Sequence, residues 1–198
     1  MHESDQSRMH RASFLRRAAL VAGTAAGAGL VLNQQPAEQA EAQTADQRAL
    51  NLALLVEYAE ADFYAKAVKE GKLDGELRAF AEQVSQQEDD HVAFIKSALG
   101  SNARSKPQFD FGNTTSDPDA FADRAAALED LAVAAYAGQA GNLSKPILKS
   151  AATLISVEAR HAAWIRSIVG RPPANEPTDK PRNADQVMSD LKRLGMKG

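Results

Sequence analysis

Two four-residue stretches, Glu88-Asp89-Asp90-His91 and Glu158-Ala159-Arg160-His161, constrain the fold of this chain more than anything else in it. Each sets a carboxylate and an imidazole three residues apart, a spacing that on an α-helix stacks both side chains on one face, one turn apart. The chain has four histidines; His2 and His10 fall in an N-terminal segment of a different character, and these are the other two. With twelve glutamates in 198 residues, chance alone rarely puts one three places ahead of both. The pattern is metal-ligand spacing, and its competitor is a pair of salt-bridged surface Glu/His couples. Which of the two holds depends on whether the residues fall on apolar helix stripes.

Cysteine is absent, which removes disulfides, thiol nucleophiles, iron–sulfur ligands and a lipidated cysteine together. A metal here would be held by nitrogen and oxygen alone, which suits iron, manganese or zinc. Alanine and leucine outnumber the β-branched and aromatic residues, a helical bias. A net charge of −3 without a basic stretch in the body gives no electrostatic case for nucleic acid. The length suits one domain with a core, plus tails.

Residues 1–42 are expected to be an export signal. A polar start with Arg8, Arg11, Arg16 and Arg17 leads into an Ala/Gly-rich apolar run over residues 18–32, shorter than the ~20 residues a bilayer span needs. No permanent membrane span is expected. Ala40-Glu41-Ala42 offers a small-x-small cleavage pattern before Gln43. The stretch Arg11-Ala12-Ser13-Phe14-Leu15-Arg16-Arg17 is similar to a twin-arginine signal, although the arginine pair follows Phe14-Leu15 instead of preceding it. The expected destination is the periplasm or cell envelope.

An all-α fold of four main helices is predicted over residues 44–170. Thr44 and Gln47 form a capping box for the first, whose stripe is Leu50, Leu54, Glu57, Ala61, Tyr64 and Val68. The second opens behind Asp74 and carries Leu77, Val84, Glu88, His91, Ile95 and Leu99, with Asp89 and Asp90 off the stripe. The third opens at Asp117-Pro118, an N-cap and first-turn signature, and carries Ala122, Ala126, Glu129, Val133, Tyr136 and Ala140. The fourth carries Ile147, Ala151, Leu154, Glu158, His161, Ile165 and Ile168. The polar connection between helices two and three, residues 101–116, can reach ~50 Å against ~36 Å for a 24-residue helix, so it can run the length of a bundle. Residues 171–198 form a tail with a short amphipathic stretch at Val187, Leu191 and Leu194.

In an antiparallel pair, residues equidistant from the turn lie at one height. Positions 57 and 88 average 72.5, and 129 and 158 average 143.5, each inside its hairpin turn. Glu60 would shift the first midpoint to 74 and leaves the stripe, so Glu57 is the choice. Facing the hairpins brings Glu57, Glu88, His91, Glu129, Glu158 and His161 to one layer, the ligand set of di-iron and di-manganese bundles. Four ionised carboxylates cannot share an apolar core uncompensated, and two divalent cations neutralise them. The alternative is a buried network of protonated or water-bridged glutamates.

At these residues the chain resembles the ferritin-like superfamily, specifically its exported, desiccation-related members. The resemblance is carried by Leu54-Leu55-Val56-Glu57-Tyr58, by the segments 88–100 and 155–168, and by Ala135-Tyr136-Ala137-Gly138. It implies a four-helix bundle with a long crossover and a di-metal centre reactive towards O₂ or peroxide. It also implies that Tyr64, seven residues after Glu57, stands near the metals as a redox-capable tyrosine, the competing role being a core aromatic. Bacterioferritins bind haem through a methionine directly after the second-helix glutamate, which here is Asp89, and rubrerythrins add a cysteine-ligated iron domain, so neither haem nor Fe–S is expected. The expected function is a ferroxidase- or peroxidase-type oxidoreductase acting on Fe(II), O₂ or peroxide through two Fe or Mn ions in stress protection. The alternative is a non-catalytic metal-sequestering or structural desiccation protein. Iron against manganese and oligomeric state, a dimer included, stay open at this level.

Overall fold

In the computed structural model, residues 35–197 are described, with side chains from residue 44 onward. The expected twin-arginine-like stretch and apolar run lie outside the described residues. Five α-helices follow in order: α1 (Gln35–Glu70), α2 (Gly75–Leu99), α3 (Pro118–Gln139), α4 (Lys145–Ile168) and α5 (Ala184–Leu194). The described residues contain no strand, only one antiparallel bridge between Phe109 and Met196. No described helix is long and apolar enough to cross a membrane.

The helix boundaries follow local chemistry. Asp117 caps α3, its side chain accepting from Ala120 N at 2.9 Å, and Pro118 fills the first turn, where its missing N–H costs nothing. Asn183 and Gln186 close a reciprocal capping box on α5. The Thr44/Gln47 box does not form, because α1 begins at Gln35 and both residues lie inside it. The run Gln35-Pro36-Ala37-Glu38-Gln39-Ala40-Glu41-Ala42-Gln43 consists of good helix formers behind a first-turn proline, so nothing stops the helix at Thr44.

α1 and α2 form one hairpin, and α3 and α4 the other. The crossover returns along α1: Arg104 N donates to Asn51 Oδ1 at 2.8 Å, Tyr58 Oη donates to Arg104 O at 3.1 Å, and Phe111 meets Phe63 edge-on at 5.3 Å. Phe63 in turn stacks on Phe121 of α3 at 5.2 Å. The tail turns back over the bundle and α5 packs on α3 and α1, burying Val187 and Leu191. At the closest approach a Cβ on Gly138 would stand 1.9 Å from Arg182 O, so only glycine fits there.

This fifth helix changes the burial pattern read from the sequence. α2 and α4 bury one stripe each, but α1 lies against α2, α3, α5 and the crossover, and α1 and α3 are buried on most sides. Val68, placed on the stripe of α1, is exposed where the helix passes the end of the core, while Glu60, placed off it, is fully buried. The apolar core divides into one cluster around Phe63, Tyr64, Phe80 and Phe121 and another around Leu50, Leu54, Tyr58, Ile95 and Leu154. On α2 the residues between Val84 and Ile95, and on α1 those between Leu54 and Phe63, supply a polar layer separating them.

Candidate metal centre

Each helix of the bundle contributes to that layer at the height its hairpin dictates. Glu57, Glu88, Glu129 and Glu158 are fully buried, His91 is 7% exposed and His161 3%. All six sequence-predicted ligands therefore meet in one place, and their ligand atoms form two groups. Glu57, Glu88, His91 and Glu158 bring one atom each to within 4.8 Å of one another, as do Glu88, Glu129, Glu158 and His161. Glu88 and Glu158 belong to both.

The imidazoles define the two positions. His91 Nδ1 lies 2.7 Å from Glu158 Oε1, 3.1 Å from Glu88 Oε2 and 3.3 Å from Glu57 Oε2. His161 Nδ1 lies 3.1 Å from Glu88 Oε1, 3.3 Å from Glu129 Oε2 and 3.5 Å from Glu158 Oε2. A ring nitrogen facing three carboxylate oxygens is favourable only with a cation, proton or metal, between them. Glu57 Oε2, Glu88 Oε1, Glu129 Oε2, both oxygens of Glu158 and His161 Nδ1 are buried without a hydrogen-bond partner, the arrangement a pair of metal ions would satisfy. Oxygen and imidazole donors fit iron and manganese.

Protonation follows from the same crowding. Burial pushes Glu88 well above the carboxylate range, with Glu158 adding to it. Burial also raises Glu129, to about 7, against the opposing pull of His161. Burial alone would lower His161, but Glu129, Glu158 and Glu88 outweigh it and push the imidazole up to about 12. For Glu158 burial acts upward, and the adjacent imidazoles of His161 and His91 overcome it, holding the group at about 2.

Three residues of the site were not anticipated in these roles. Glu60 is fully buried with neither oxygen partnered, its pKa raised by burial first and then by Glu129. Its signal in the sequence was the Glu57-x-x-Glu60 spacing, which puts it one turn from a ligand. Tyr136 donates its hydroxyl to Glu57 Oε1, just as Tyr64 donates to Glu129 Oε1. The signal was the repeated Glu-to-Tyr interval of seven residues, 57 to 64 and 129 to 136. Gln87, whose Oε1 lies 2.6 Å from His161 Nε2, left no mark in the sequence beyond preceding Glu88. Tyr64 is thus adjacent to a ligand and also part of the aromatic core, 5.7 Å from Phe80. Leu54, Val84, Val133 and Leu154 are buried as expected of the apolar surround.

Comparison with curated proteins returned no match. The ferritin-like domain family matches residues 45–171, the stretch that holds both hairpins, the crossover and every residue of the polar layer, and the chain belongs to that family.

Proposed function

We infer that this chain is an exported, desiccation-related type of ferritin-like protein. In this reading it holds two iron or manganese ions and oxidises Fe(II) or consumes O₂ or peroxide as stress protection. The observation that carries the reading is the pair of one-histidine, three-carboxylate groups sharing Glu88 and Glu158. Bound there, two ions would supply redox chemistry: each gives up one electron on passing from the +2 to the +3 state, and the pair together would supply the two electrons that, with two protons, reduce O₂ to peroxide or peroxide to water. Glu57 and His91 would hold one position, Glu129 and His161 the other, with Glu88 and Glu158 spanning both. Tyr64 and Tyr136 fix one oxygen of Glu129 and Glu57 and leave the other aimed inward. Two divalent cations balance the four ligand carboxylates, and Glu60 then stays neutral by keeping its proton, which is what its burial favours. The apolar surround excludes bulky organic substrates. Export rests on the arginine-rich start, the Ala/Gly run and Ala40-Glu41-Ala42.

A second reading, sequestration without turnover, is favoured by the depth of the layer, where no ligand is more than 7% exposed. Metal analysis of protein purified from its natural host, followed by Fe(II) oxidation in wild type and Glu129→Ala, separates the two. About two metals per chain with oxidation lost in the variant supports the redox reading. Oxidation no faster than free Fe(II) in both proteins leaves sequestration, and an absence of metal overturns both.

A further inference from the structure

The two ligand groups differ in what stands behind their histidines. His161 Nε2 donates to Gln87 Oε1 at 2.6 Å, a contact from α4 to α2 that fixes the ring proton on Nε2 and turns Nδ1 towards Glu88, Glu129 and Glu158. Gln87 immediately precedes the glutamate of one Glu-x-x-His stretch, and its counterpart in the other hairpin is Val157. Valine has no acceptor to offer. Among the described residues the polar contacts of His91 are all made by Nδ1, and its side chain is 9% exposed against 4% for His161. A partner on the far ring nitrogen matters because it sets the tautomer, holds the ring against rotation and raises the basicity of the ligating nitrogen.

Resting on the metal-binding reading above, we propose that the two metal positions are unequal. The position of Glu129 and His161 fills first and holds its ion more tightly, with Gln87 as its positioning residue. The position of Glu57 and His91, whose imidazole has no partner on Nε2 among the described residues and is nearer to solvent, is the exchangeable one. A centre built this way keeps one ion resident while the other comes and goes, an arrangement suited to taking up Fe(II) at one side only.

The test is titration of the metal-free full chain with Co(II), followed by heat and visible absorption, together with anomalous diffraction from crystals carrying one Co(II) per chain. Wild type should bind in two resolved steps, the first ion lying against His161. Gln87→Leu should weaken the first step by about 10–100-fold and leave the second unchanged, the usual effect of removing such a partner. Gln87→Glu, which keeps an acceptor, should restore the separation. Val157→Gln tests the same idea without touching Gln87, and should tighten the second step towards the first. Two steps of equal affinity, a first ion lying against His91, or equal weakening of both steps in Gln87→Leu would overturn the inequality while leaving metal binding intact. Failure of wild type to bind Co(II) at all would overturn the metal-binding reading itself.

Discussion

The hydroxyl of Tyr64 on α1 donates to Glu129 Oε1 on α3, across the centre of the bundle. Tyr136 on α3 returns the bond to Glu57 Oε1 on α1, so each inner helix holds a buried carboxylate of the other. The oxygens left over are Glu57 Oε2 and Glu129 Oε2, the ones that face His91 and His161 at 3.3 Å. Burial, reinforced by Glu129, raises the Tyr64 pKa, and burial with Glu57 does the same for Tyr136, so both remain protonated donors.

Tyr64→Phe and Tyr136→Phe should therefore each destabilise the metal-free protein by about 1–3 kcal/mol, because each strips the donor from a buried carboxylate. Urea unfolding near neutral pH measures it. Phenylalanine variants as stable as wild type would reduce both tyrosines to packing residues.

Stability of the metal-free protein should fall as pH rises. Glu129, raised from 4.5 to about 7, binds its proton more tightly folded than unfolded; its contribution is complete below pH 4.5 and is lost as pH climbs through 7. His161, raised from 6.5 to about 12, extends the loss above neutrality, and Glu60 acts in the same direction from 4.5 upward. Glu158, held at about 2, works oppositely, with its contribution lost only as pH falls below 4.5. Calorimetry between about pH 5 and 8 should show a declining Tm, flattened in Glu60→Gln and reversed by metal, which displaces the protons. A flat profile for the metal-free wild type would contradict the charge assignment.

Chelation should lower Tm. An ion that binds only the folded chain adds about 4 kcal/mol at a thousand times its Kd. Glu158→Ala and His161→Ala should lose metal yet keep their helical circular dichroism, since the apolar clusters on either side of the layer remain. Unchanged melting on chelation of a protein shown to contain metal would place those ions elsewhere.

Gly138→Ala should destabilise by about 1–3 kcal/mol, the range for overpacking. The added methyl meets the Arg182 carbonyl at 1.9 Å and must push the tail away from α3. Hydrogen exchange should then rise in α5 ahead of α2. Protection lost uniformly across the bundle would argue against a local effect.

The clustering of the six candidate ligands was legible in the sequence because their geometry is local. Glu-x-x-His fixes a helix face, and the hairpin turns fix height, so two simple rules placed Glu57 and Glu129 opposite Glu88 and Glu158. Glu60 was missed because a single buried stripe assumes a helix with one wet side, and α1 has almost none once α5 and the crossover cover it. The reach of α5 could not be read from Val187, Leu191 and Leu194, which reveal an apolar face but not what it covers. Gln87 was missed because a side chain that supports a ligand from another helix leaves no periodicity of its own.

The even division of the ligands between hairpins has a consequence for fragments of this protein. Residues up to the turn at Gly112 carry Glu57, Glu88 and His91; those after it carry Glu129, Glu158 and His161. Neither half can complete a position alone, because Glu88 and Glu158 must both reach it. On the metal-binding reading, a chain severed in the crossover would be a complementation pair whose two pieces are coupled through the ions they share, and the affinity of one for the other would report metal concentration.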